Sequence, residues 1–179
     1  MEQTAVKSGS TQLSFRLAEE TYAIEILKVR EIIGLMDITA VPLTAGHIRG
    51  VVNLRGKIVP VLDMRAKFGL PPAAARRENC IITVMAQGAK GGQLVGILVD
   101  SVSEVVKVAD EELEALPDLG AGASLDFVVG LAKAQGRVTI LLDIDRVVQN
   151  DSLQGMAELE QALQHAGAPA LDAAGPHAV

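Results

Sequence analysis

The chain has 179 residues, of which 49% are apolar and only 2% aromatic, and it carries a formal net charge of -6. That length buries a proper core, in one domain or two small fused ones, and the shortage of aromatics leaves Val, Ile and Leu to build it, residues that suit strands. An acidic chain with 3 Phe, 1 Tyr and no Trp lacks both the charge to follow a phosphate backbone and the platforms on which bases stack, which argues against a nucleic-acid role.

The N-terminal stretch MEQTAVKSGS has no apolar centre of the kind a secretory signal requires, and no later run approaches the roughly 20 apolar residues of a membrane span. The expected location is the cytoplasm, and residues 1–12 are expected to be flexible. Structure should begin at Leu13, where LSFRL alternates Leu13, Phe15 and Leu17 against Ser14 and Arg16 as a half-buried strand does. Glu19-Glu20-Thr21 supplies a turn, and residues 22–26 alternate again to complete a hairpin. VREIIGL from Val29 reads as helical or extended; Gly34 and the β-branched content favour a strand. Pro42 then forces the chain extended, and a short connector reaches His47.

HIRGVVNLRGKIVPVLDMR, from His47 to Arg65, sets two apolar β-branched runs on either side of Arg55-Gly56. Glycine accepts positive φ in a tight hairpin turn, so this turn carries an arginine at its tip. A guanidinium held there is either a solvated turn residue or a recognition group that loses little entropy on pairing with a carboxylate or carbonyl. Residues 68–79, with Pro71-Pro72, read as a linker. Strands follow at 80–86 and 94–99, then at 101–108. Asp110 is placed to N-cap a short helix through Glu111 to Ala115, closed by Pro117. A last hairpin turns at Gln135-Gly136 and runs into a short helical turn. Beyond it, Leu153, Met156, Leu159 and Leu163 recur at helical spacing, predicting a helix over 151–166 that docks on its own domain or, as the lesser alternative, binds a partner, and the Ala, Gly and Pro-rich tail 167–179 is expected to be disordered.

An internal repeat decides the architecture. GVVNLRGKIVPVLDM from Gly50 aligns without a gap on GLAKAQGRVTILLDI from Gly130, pairing Gly56 with Gly136 and Asp63 with Asp143, while VREIIGL from Val29 aligns on VSEVVKV from Val102, pairing Glu31 with Glu104. Two similar β units are implied, about 13–67 and 80–148, each of five or so short strands with no room for crossover helices, hence small closed or partly closed antiparallel barrels within a domain spanning 13–150.

The chemistry of an enzyme is hard to assemble from what remains. GVVNLRGKI is one residue too long for a phosphate loop and has Ile58 where Ser or Thr must hold magnesium. His47 is the one histidine in the predicted body, and no catalytic triad or metal cluster can be built around it. Cys80 opens an apolar run and reads as a buried, inert thiol. Glu19-Glu20 and Glu111-Glu112 sit on a turn and a helix start, where solvation or capping explains them. Asp63 and Asp143 recur at equivalent strand ends, as residues that cap backbone donors do. The expectation is a protein with no catalytic residues, no metal, no cofactor and no small-molecule substrate, whose function lies in its surfaces; a small β-barrel hydrolase is the alternative of another class, to be revived by a deep pocket with convergent titratable groups.

IRGVVNLRGKIVPVLDMR resembles the signature of CheW-like chemotaxis coupling proteins, with Met64 in place of Leu, and TYAIEILKVREII, GILVDSVSEVV and RVTILLDID extend the resemblance over about 13–148. Ala45 departs from the pattern, which has a second proline there. The resemblance implies a mainly β fold of two five-stranded SH3-like barrel subdomains around a shared core. It implies an adaptor that couples the cytoplasmic tip of a chemoreceptor to the regulatory domain of a CheA-type histidine kinase, at receptor arrays on the inner membrane, or one serving a non-flagellar system such as pilus motility. Carried over by position, the receptor surface includes Val29, Glu31, Asn53 and Arg55, with Gly50 and Gly56 shaping the hairpin.

Overall fold

The computed structural model describes residues 6, 9–42, 46–88, 91–116 and 126–149. Ala45 and the expected helix and tail at 151–166 and 167–179 lie outside these residues. The alternating segment that opens the body forms β1 (Thr11–Leu17) and β2 (Glu20–Glu25), which pair antiparallel with Phe15 opposite Tyr22. A 3-10 turn, Ile26–Lys28, leads into β3 (Val29–Gly34). The arginine-tipped hairpin is β4 (Ile48–Leu54) and β5 (Lys57–Asp63), followed by the short helix α1 (Met64–Lys67). The second half supplies β6 (Cys80–Gly88), β7 (Gly91–Val99), β8 (Ser101–Lys107), β9 (Leu113–Glu114), β10 (Val128–Ala134), β11 (Arg137–Leu142) and the helix α2 (Ile144–Gln149).

These strands make two sheets, ordered β8-β1-β2-β11-β10-β9 and β3-β6-β7-β5-β4. Neither sheet is built from one repeat. Each takes the opening hairpin of one repeat and inserts it among the later strands of the other, joined by a parallel pairing of β2 with β11 and of β7 with β5. The repeat legible at 13–67 and 80–148 is therefore an approximate twofold of interlocked halves, since β6 and β7 stand in one sheet where β1 and β2 stand in the other.

Both sheets close on themselves in the same way. After β3, at one edge, the chain crosses to the opposite edge, where Thr39 pairs with Val51 of β4 through bonds of 2.8 and 2.9 Å. After β8 the chain crosses likewise, and β9 pairs with β10. Gly50 lies at a register shift with φ +144, and a Cβ there would stand 2.1 Å from the Thr39 carbonyl oxygen, so it serves the closure of the barrel more than the hairpin turn. Val52, Val59, Val61 and Ile81 fill the interior of the second sheet, while Ala23, Val108, Ala132 and Leu141 fill that of the first. The largest cluster lies between the sheets and joins Leu13, Phe15 and Ile24 to Ile58, Leu62 and Ile97. Strands covered on both faces explain the unbroken apolar runs IVPVL and CIITVMA. All four aromatic residues form one column, Phe15–Tyr22–Phe68–Phe127, with neighbouring ring centroids 5.9, 5.2 and 5.2 Å apart.

Several expectations need correction. Residues 9–12 belong to the body: Gly9 donates to Val108 O at 3.0 Å, and Gln12 is buried in β1 despite its polar neighbours. The helix expected from Asp110 to Ala115 is a single 3-10 turn, Asp110–Glu112, and its N-cap is Ala109, whose N–H donates to Glu112 Oε2. Leu113 and Glu114 leave it to pair with β10, a tertiary bond that outweighs a short helix's weak local preference. Phe68 and Leu70, read as linker, pack on the central core, which leaves residues 71–78 as the exposed part.

Candidate functional site

The hairpin turn is of the primed type. Arg55 has φ 53 and Gly56 φ 83, and Gln135 and Gly136 repeat them at 52 and 74. Asn53 works inside this turn, its Oδ1 accepting the Gly56 N–H at 2.9 Å, so it shapes the hairpin together with Gly56. At the far end of the hairpin from the turn, Asp63 accepts the N–H groups of Arg65 and Ala66 at 3.0 and 3.3 Å, and Asp143 does the same for Asp145 and Arg146 at 3.0 and 3.3 Å. The two aspartates are helix caps, as their repetition suggested.

Glu31 and Arg55 come from opposite edges of their sheet and meet across the seam that backbone pairing leaves open. The guanidinium grips the carboxylate in a two-pronged bond, Nη1 to Oε1 at 2.8 Å and Nη2 to Oε2 at 2.9 Å. Hydrogen bonds from Arg55 hold the Glu31 carboxyl below the usual carboxylate range; partial desolvation opposes them and the arginine's charge adds to them. Arg55 remains 76% exposed at its side chain while Glu31 is 28% exposed, so the arginine is offered outward and the glutamate steadies it. Glu31 is itself fixed from behind. A register shift between Val29 and Glu31 frees its backbone groups from the β6 ladder, and the buried Thr83 hydroxyl takes them both, accepting from Glu31 N at 3.1 Å and donating to Glu31 O at 3.2 Å. Ser14 does this for Glu104 at 3.1 and 2.9 Å.

The structure thus brings Glu31, Asn53, Arg55 and Gly56 to one rim. Val29 is half-buried against the central core and shows the surface only an edge. The apolar exposure nearby belongs to residues the sequence did not single out, Leu27 at 79%, Ile32 at 46% and Leu35 at 41%. VREIIGL is apolar on both strand faces, so its pattern does not tell which face is covered. Thr83 was missed because a hydroxyl inside CIITVMA reads as one more β-branched core residue.

A cleft of about 270 Å³ lies elsewhere, lined by Glu25, Lys28, Asp143 and Asp145 among others. Two of its carboxylates have structural work: Asp143 caps α2, and Asp145 pairs with Lys28. Burial raises the Cys80 thiol's pKa, as an inert cysteine requires. No group of His, Cys, Asp and Glu among the described residues has the arrangement of a metal site, and none of the described helices is long and apolar enough to cross a membrane.

The description of the CheW-like domain matches residues 12–152, most of the chain. This protein belongs to the CheW-like domain family. The chemotaxis protein CheW of Klebsiella aerogenes is 35% identical over 145 residues, covering 81% of this chain and 85% of its own. The probable chemotaxis protein CheW of Rhizobium etli is 32% identical over 145 residues, covering 79% and 91%. Among solved structures, the scaffolding protein TtCheW of Thermoanaerobacter tengcongensis superposes with a TM-score of 0.68 at 32% identity, covering 78% of this chain and 92% of that one. CheW-like membership explains the interlocked β halves, and it directs attention to surfaces on which proteins dock.

Proposed function

We propose that this protein is a non-enzymatic adaptor that couples the cytoplasmic tip of a chemoreceptor to a CheA-type histidine kinase, acting in the cytoplasm and reaching the membrane through its partners. The observation that carries the reading is the Glu31–Arg55 pair on an otherwise open seam. Arg55 spends two of its five N–H donors on Glu31 and keeps three for a partner's carbonyls or carboxylates. Its direction is set in advance, which lowers the entropy lost on docking. Apolar burial of Ile32 and the edge of Val29 supplies affinity, and the charged pair supplies register. Asn53, Gly50 and Gly56 keep the hairpin in position. The kinase is shifted between states only insofar as its contacts with the adaptor differ between those states, and weak contacts gain strength through repetition in an array.

The test is Arg55→Ala in a reconstituted mixture of receptor, kinase and adaptor. The variant stays folded, with at most a small drop in melting temperature, and no longer brings kinase activity under receptor control. A folded variant with full coupling overturns Arg55 as a contact.

A further inference from the structure

The strand that presents Val29, Glu31 and Ile32 begins at a turn whose apolar anchorage within Ile26–Lys28 comes from Ile26. None of the three residues of Ile26–Lys28 is buried, and Leu27 is 79% exposed. The cleft of about 270 Å³ opens against the turn at Lys28. Ile26 and Val29, partly buried against the core, flank the segment that would otherwise have room to shift.

What crosses that gap is a side chain from the other repeat. Asp145, in the first turn of α2, accepts from Lys28 Nζ at 2.9 Å through Oδ2 and from the Gln87 backbone N–H at 2.9 Å through Oδ1. Lys28 and Asp145 are 29% and 22% exposed at their side chains, enough shielding for the pair to be screened less than an open surface pair. The far end of α2 is tied to the same strand, Gln149 Nε2 donating to Gln87 O at 3.1 Å. One carboxylate therefore joins α2, the end of β6 and the start of β3.

We propose that Asp145, through Lys28, is a positioning residue for the docking face of β3, so that the second repeat sets the geometry with which the first meets its partner. The inference rests on the proposed docking role of Glu31 and Arg55, and the test separates the two. Binding of a purified chemoreceptor signalling-tip fragment is measured for the unaltered protein and for Arg55→Ala, Asp145→Ala and Asp145→Glu. Amide hydrogen exchange at residues 26–31 is followed alongside. Asp145→Ala is expected to weaken binding about tenfold and to speed exchange at 26–31 while β1 and β7 stay protected. Asp145→Glu, which keeps a carboxylate for both Lys28 and Gln87, is expected to retain most of the binding, an outcome that a general loss of stability does not allow.

If Arg55→Ala abolishes binding and Asp145→Ala changes neither binding nor local exchange, the positioning role is wrong and the docking site stands. If Arg55→Ala binds normally, the docking site is wrong, and the exchange at 26–31 alone decides whether Asp145 holds the strand. Should Asp145→Ala fail to fold, Asp145→Asn, which keeps an acceptor for Gln87 and loses the charge, is read in the same two assays; unchanged binding and exchange there overturn the proposal.

Discussion

Arg55 and Gln135 occupy equivalent turns with φ 53 and 52, so the backbone is indifferent to which side chain stands there. Arginine is thus dispensable to the turn and distinctive of the first repeat, where Glu31 receives it. The pair has a signature in acid. A carboxyl whose folded pKa is depressed contributes stability that is present above its unfolded pKa and lost as pH falls through the lowered folded value. The Glu31–Arg55 bond is therefore intact at neutral pH and opens below the usual carboxylate range. Following the Glu31 side-chain carbonyl by NMR should show titration below that range, moving up to it in Arg55→Ala. A Glu31 that titrates identically in both proteins removes the bond from the solution structure.

At the scale of the element, the bulge at Val29–Glu31 depends on one buried hydroxyl. Replacing Thr83 with Val keeps the shape of the side chain but leaves the Glu31 N–H and C=O without their partner, at a cost of about 1–3 kcal/mol. Thr83→Ser should cost less, because Ser14 serves Glu104 in the other repeat with the same pair of bonds. Urea denaturation midpoints of the two variants check this. A smaller loss in Thr83→Val than in Thr83→Ser would mean that the methyl group's packing, not the hydroxyl, is what counts. The same splint holds the backbones of Glu31 and Glu104 at matching places in the two repeats, and it leaves the Glu31 side chain available for Arg55.

At the scale of the whole molecule, the exchange of hairpins makes each repeat incomplete alone. The linker between them is exposed over residues 71–78, and Arg76 and Arg77 offer trypsin two sites there. A single cut should leave both fragments bound in native buffer, eluting as one species and separating only in denaturant, because the parallel pairings of β2 with β11 and of β5 with β7 and the central core cross the cut. Fragments that part in native buffer would show that the crossings contribute little. Near the linker, Arg65 grips Asp100 at 2.6 and 2.7 Å, and Asp100 also accepts the Ala18 N–H at 2.7 Å, so α1, the β7–β8 corner and the β1–β2 turn meet at one carboxylate. The hydrogen bonds from Arg65, chiefly, keep the Asp100 carboxyl below the usual range.

The alternation from Leu13, the arginine-glycine turn and the repeat at Gly50 and Gly130 were enough to read a mainly β chain of two related units, because strand period and turn chemistry are local properties written in consecutive residues; the family came from the resemblance of residues 48–65 to its signature. The capping role of Asp63 and Asp143 was legible for the same reason. Which strands share a sheet was not: β2 meets β11 across more than a hundred residues, and no local pattern records a pairing at that distance. Nor could composition show that Asn53 turns its side chain back into the hairpin, that Thr83 splints Glu31, or that Asp145 reaches Lys28. Glu31 and Arg55, proposed as docking residues, were named by resemblance; their joining, by an ion pair across the seam of a closed sheet, required the curvature that brings its two edges together.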